Sequence, residues 1–183
     1  MSKRAGTYIT LDELLDEVSV DVARYFFLSR GNNTHLNFDL NLAKEQSEKN
    51  PVYYVQYAYA RISSILRKSK YRNIEKLELL NHPSELKLIK QLIRFPEVIE
   101  DTVKDYQLQR LPQYATELAT SFHQFYTECR VIPAPCRTSG ASSGSGDENN
   151  KELTQARLAL VESTRIVLKN TLNLMGISTP EKM

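Results

Sequence analysis

From Asn50 to Lys70 the chain reads NPVYYVQYAYARISSILRKSK, and no glycine or proline interrupts it after Pro51. Asn50 suits a helix N-cap, and Pro51 suits the first helical position, where its missing N–H is no loss. The pattern predicts a helix of roughly five turns from Val52 to about Lys70. At about 100° per residue, Val52, Val55, Tyr59, Ile62 and Leu66 fall on one stripe, and Tyr54, Tyr57 and Arg61 on another roughly 145° away. The first stripe is a core face. The second carries two phenols and a guanidinium, which a core does not need. Unpaired bases stack on aromatic rings and guanidinium planes, and arginine also pairs with phosphate. The same three residues would equally serve a second packing contact, with Arg61 neutralised by a carboxylate.

The other periodic segments are helical too. Thr10 is placed to cap a short helix from Leu11 to Val18, with Asp12 and Glu13 in its first turn. A second helix is expected from Val20 to Ser29, with Tyr25, Phe26 and Phe27 in the core and Gly31-Asn32-Asn33 ending it. His35 to Leu42 reads as a loop entering a helix at about Leu40–Lys49. A polar link over Lys68–Asn73 precedes a short helix at Ile74–Asn81. Ser84 is the expected cap of a helix over Glu85–Arg94, with Leu86, Ile89, Leu92 and Ile93 inward. Pro96 opens another over Glu97–Gln107, with Val98, Ile99, Val103 and Tyr106. Pro112 opens a long one to about Val131, with Tyr114, Leu118, Phe122, Phe125 and Cys129 as its core stripe. Residues 133–150, PAPCRTSGASSGSGDENN, read as a flexible insertion. The last helix, Lys151–Met175, has an apolar stripe along nearly its whole length, with Arg157 and Arg165 off its centre and Gly176 as the residue that stops it. The fold class is therefore an all-α helical bundle.

Composition narrows the function classes. Apolar residues make up 41% of the 183, a globular proportion. The net charge of +2 (24 Lys and Arg against 22 Asp and Glu) neither demands nor excludes nucleic acid. No run of roughly 18 apolar residues is present, so no transmembrane helix and no membrane partner is expected. Cys129 and Cys136 lack a Cys-x-x-Cys spacing, and with three scattered histidines no metal site is expected. Reduced thiols fit a cytoplasmic setting; the first residues carry no apolar leader, which says nothing of location if the sequence is a fragment. No nucleophilic triad, glycine-rich phosphate loop or paired carboxylates is visible, and His123 reads as a solvated or hydrogen-bonded residue on the polar side of its helix.

The run NPVYYVQYAYARISSIL resembles a signature of arginyl-tRNA synthetases, in their C-terminal anticodon-binding helical domain. Asp21-Val22-Ala23-Arg24 is similar to that domain's Asp-Ala-Leu-Arg opening. Met1-Ser2-Lys3-Arg4 looks like the class I Lys-Met-Ser-Lys-Ser loop without its first lysine, and Gly176 to Met183 resembles the family's Leu-Gly…Pro-Glu-(Lys/Arg)-Met ending. The resemblance implies a bundle of the class I synthetase anticodon-binding type over residues 20–183. Residues 1–19 would be a remnant of the signature loop and its linker helix, and the flexible insertion would lie at about 133–150.

It further implies tRNA anticodon recognition, as the C-terminal part of an ATP-dependent arginine–tRNA ligase. The partners would be the anticodon loop of arginine-tRNA and the catalytic domain of the same parent chain. Lys3 would stabilise phosphate charge in the parent enzyme only. ATP with magnesium belongs to that parent, and no cofactor is expected in this segment, which lacks a His-x-Gly-His motif and a nucleotide-binding fold. Tyr54, Tyr57, Arg61, Tyr126, Arg130 and Met183 are the RNA-binding positions carried over, with Arg130 standing where some members have a large aromatic. Met183 would offer an adaptable apolar side chain to a splayed base. Without the resemblance, a non-catalytic helical protein-interaction module would explain the exposed tyrosines as interface anchors.

Overall fold

The computed structural model describes residues 10–31, 33–69, 76–132 and 146–183. Its helices are α1 (Leu11–Glu17), α2 (Val20–Leu28), α3 (Leu40–Lys44), α4 (Pro51–Lys68), α5 (Pro83–Ile93), α6 (Phe95–Asp105), α7 (Arg110–Glu128) and α8 (Gly146–Leu174), with a 3-10 turn at Leu77–Leu79. No strand occurs among the described residues. Among the described residues, no helix is long and apolar enough to cross a membrane. Lys3, Asn32, Cys136, most of the 133–150 stretch and the start of the helix expected at Ile74–Asn81 lie outside the described residues.

The caps fix the register of the chain. Thr10 and Glu13 form a reciprocal capping box on α1. The Asn50 side chain accepts from the Val52 N–H at 3.0 Å and donates to the carbonyls of Ala43 and Glu45, each at 3.0 Å. One buried amide thus starts α4 and pins the chain that leads into it. That turn is why the helix expected to run to Lys49 stops at Lys44.

The core lies where α4, α7 and α8 meet, with α5 packed against α7 and α8. Val55, Tyr59 and Ile62 of α4, Leu118, Phe122 and Phe125 of α7, and Val161, Leu168 and Leu172 of α8 are buried there. Tyr25 joins them from α2, its hydroxyl donating to the Pro112 carbonyl at 2.8 Å. A smaller cluster holds Val18, Ala23 and Ala43 with Leu14, Leu15, Phe26, Phe38 and Leu40 around them. The division expected between residues 19 and 20 runs through this cluster.

Several expected faces hold only in part: Ile89 and Leu92 of α5 and Val98 and Ile99 of α6 pack on the core as expected. On α5 the capping residue is His82, not Ser84, in a capping box with Glu85. Leu86 is exposed and Ile93 is 71% exposed, while Glu85 and Leu88 are buried. The cause is an ion pair: Glu85, 1% exposed, takes the Arg157 Nε–H of α8 at 2.7 Å. Satisfying a buried carboxylate fixes the rotation of the helix more strictly than its leucines do. On α6, Thr102 turns inward and its hydroxyl donates to the Val98 carbonyl at 2.7 Å. Val103 and Tyr106 face solvent, and Tyr106 ends the helix at φ +56°. Phe27 is also exposed, its ring 6.0 Å from that of Phe38. At the other end, α8 begins at Gly146, five residues before the expected Lys151.

Candidate nucleic-acid interface

Helix α4 places its two faces as its periodicity requires. Val52, Val55, Tyr59 and Ile62 are buried, Leu66 and Tyr54 are half-buried, and Tyr57 and Arg61 are exposed. Tyr54 packs against the core edge and its hydroxyl meets Thr120 Oγ1 at 3.3 Å. Part of the packing alternative therefore holds for Tyr54. For Arg61 its carboxylate does not: the partner is an aromatic.

Arg61 reaches across to α7. Its Nη2 donates to the Tyr126 hydroxyl at 3.1 Å, and its guanidinium carbon stands 4.8 Å from the centre of that ring. Such a cation over a phenol face contributes about 0.5–1 kcal/mol where solvent reaches it. The guanidinium has five donors, so one bond to Tyr126 leaves others for a ligand.

Two hollows flank Tyr57. In the first, Tyr57 meets Arg61, Ser64 and Arg67 of α4 and Glu181, Lys182 and Met183 of the tail. The second is lined by Tyr57 with Tyr53, Tyr54, His123 and Glu48. There Tyr53 and Tyr57 stack with centroids 6.4 Å apart, and His123 lies against both Tyr57 (5.9 Å) and Tyr54 (4.9 Å). The ring faces, with Glu48 in this hollow and Arg61 in the other, make a surface suited to flat π systems.

Met183 is 53% exposed and shares the first hollow with Tyr57 and Arg61, 122 positions away from the latter in sequence. Arg130 is not among the side chains lining either hollow. The expected helix to Val131 would have set it one turn above Tyr126, but α7 stops at Glu128 and Cys129 takes an extended backbone. The Arg130 carbonyl accepts from Arg157 Nη1 at 2.9 Å.

Sequence reasoning missed Tyr53 and His123. The imidazole is half-buried rather than solvated, and its Nε2 has no hydrogen-bond partner. Burial and the neighbouring Arg61 charge hold its pKa below the ordinary value, against an opposite pull from Glu48. The signal was available, since His123 and Tyr126 are three apart on one helix and so share a face. Cys129, buried beside Ser84 Oγ at 3.4 Å, has a thiol pKa raised chiefly by burial, which makes it a poor nucleophile. No cluster of three or more His, Cys, Asp or Glu able to hold a metal ion occurs among the described residues.

The chain is similar to known proteins along its whole length. The profile of the DALR anticodon binding domain matches residues 55–183. The arginine–tRNA ligase of Moorella thermoacetica is 47% identical over 190 residues, covering 100% of this chain and 31% of that protein. The crystal structure of arginyl-tRNA synthetase from Plasmodium falciparum superposes with a TM-score of 0.71 at 27% identity, over 96% of this chain and 29% of that one. The arginyl-tRNA synthetase of Thermus thermophilus gives 0.70 at 26% identity, over 99% and 29%. The chain thus spans about a third of the length of the curated relatives it matches.

Proposed function

The chain belongs to the DALR anticodon binding domain family, and from that premise we propose that it binds the anticodon loop of arginine-tRNA as part of an arginine–tRNA ligase. The observation that carries this reading is the meeting of Tyr57, Arg61 and Met183 around one hollow. Loop bases splay out of the stack and lie on the exposed rings. Each stacked base contributes about 1–3 kcal/mol. Arg61, steadied by Tyr126, and Arg67 and Lys182 beside it offset the charge of Glu181 and of the backbone phosphates. Tyr54 and His123 form the rim on which a second base rests. Arg130 belongs to the proposed contacts at their edge, where its guanidinium serves phosphate rather than a base.

Residues 20–183 are the anticodon-reading part in this proposal, and residues 1–19 lead to it from the catalytic domain of the same parent chain. The arginine–tRNA ligation itself, with its use of ATP and magnesium, belongs to that parent. Lys3 lies outside the described residues.

Fluorescence titration of an arginine anticodon stem-loop tests the proposal. Binding that weakens as salt rises, and that exceeds binding of an unrelated stem-loop, is the expected result. Equal affinity for the two RNAs overturns it.

A further inference from the structure

After Leu174 the chain has no further helix, yet its course is fixed at three successive residues. The N–H of Gly176 donates to the Asn173 carbonyl and that of Ile177 to the Leu172 carbonyl, each at 3.0 Å, which is a Schellman ending for α8. Gly176 sits at φ +67°, and a Cβ there would stand 2.8 Å from Arg24 Nη1. The Arg24 guanidinium donates to the Gly176 carbonyl. Ile177 is buried in the main core. Ser178 is then held by Asp21: its N–H donates to Asp21 Oδ1 at 3.2 Å and its hydroxyl to Asp21 Oδ2. Gln56 of α4 donates from Nε2 to the same Asp21 Oδ2 at 2.9 Å and to the Ser178 carbonyl at 3.1 Å.

Asp21 and Arg24 are one helical turn apart on α2 and so share a face. They hold the tail at two points, and Gln56 ties that grip to α4 one residue before Tyr57. Met183 lies five positions after Ser178, a reach of at most about 17 Å. Anchoring Ser178 therefore confines Met183 to the neighbourhood of the hollow it shares with Tyr57 and Arg61.

The geometry points to Asp21, Gln56 and Ser178 as positioning residues for the binding site: a clasp that preorganises Met183 against α4. The clasp touches no ligand and acts only through the tail. An unclasped tail has to be ordered at the moment of binding, and that ordering is set against affinity. The inference rests on the proposed RNA-binding reading and names the device that completes the site.

The test is a double-mutant cycle on the full chain, with a fluorescein-labelled anticodon stem-loop of an arginine tRNA as probe. Asp21→Ala, Ser178→Ala and removal of Met183 are each expected to weaken binding about tenfold, and either substitution combined with loss of Met183 to weaken it no further. Ser178→Ala removes one exposed hydroxyl and leaves the core intact, so it reports on the clasp even if Asp21→Ala proves unstable. Hydrogen exchange at the amides of residues 178–183 is expected to accelerate in both variants with α4 and α8 unchanged. If removal of Met183 weakens binding while Ser178→Ala and a folded Asp21→Ala do not, or if the losses simply add, the clasp is overturned and the RNA-binding reading stands. If neither Tyr57→Ala nor removal of Met183 changes binding, the RNA-binding reading fails and the clasp falls with it.

Discussion

Arg61 of α4 lies over the ring of Tyr126 of α7, its guanidinium carbon 4.8 Å from the ring centre and its Nη2 3.1 Å from the phenol oxygen. The pair fastens a cation at the edge of an aromatic surface and keeps it from collapsing onto a carboxylate. In the free protein, a cycle of Arg61→Ala and Tyr126→Phe is expected to give a coupling of about 0.5–1 kcal/mol in urea unfolding. If Arg61 also meets a phosphate, its replacement lowers the salt dependence of RNA binding by about one counterion.

Tyr57 and Tyr59 are two residues apart and opposite in fate. Tyr57 is 40% exposed and Tyr59 is 2% exposed. Tyr57→Ala is expected to weaken binding of the anticodon stem-loop by about 1–3 kcal/mol with little change in melting temperature. Tyr59→Ala empties a core site and is expected to cost about 3–5 kcal/mol of stability, read by urea unfolding. A large drop in melting temperature for Tyr57→Ala contradicts its assignment to the surface.

The Glu85–Arg157 pair is a stability element that joins α5 to α8. Arg157→Ala strands a carboxylate that is 1% exposed, and breaking a buried pair in this way costs about 3–5 kcal/mol. Glu85→Gln keeps the shape and loses the charge, and its smaller cost in denaturant midpoint separates the ionic contribution from the packing.

His123 gives the domain a pH response. Its pKa is lowered by burial and by Arg61 from an ordinary value of 6.5. As pH falls, the unfolded chain takes up this proton before the folded one does. The contribution of His123 to stability is therefore constant above about pH 6.5, falls as pH drops from there through the folded-state pKa, and is constant again below it. The gap between the denaturant midpoints of His123→Gln and the unaltered protein is expected to change in favour of the variant on going from about pH 7.5 to about pH 5.5. A constant gap contradicts the shift.

The sequence made α4 legible because cap, proline and period all agree over Asn50–Lys68. The same agreement of Leu118, Phe122 and Phe125 made α7 legible. α5 and α6 were found as helices with Ile89, Leu92, Val98 and Ile99 correctly inward, but Leu86, Ile93, Val103 and Tyr106 were wrongly sent inward. Their inward faces are set by polar groups, Glu85 and Thr102, and a reading that sends every leucine or valine inward cannot anticipate a carboxylate that finds an arginine 72 positions later. The site was half legible. Tyr57 and Arg61 announce themselves by spacing along one helix. The resemblance alone brought in Tyr126 and Met183. The grip of Asp21 on Ser178 spans 157 positions, and no local pattern encodes such a bond.

The covering of α4 and α7 by α8 has a consequence for synthesis. A chain grown from its amino end makes Val55, Ile62, Leu118 and Phe122 long before Leu160, Leu168 and Ile177 exist to cover them. Until those residues emerge, the nascent domain carries an oily trough that invites aggregation or a holding chaperone. A ribosome that stalls within α8 leaves that trough open, so the translation machinery is itself exposed to the hazard whenever it makes a protein of this kind.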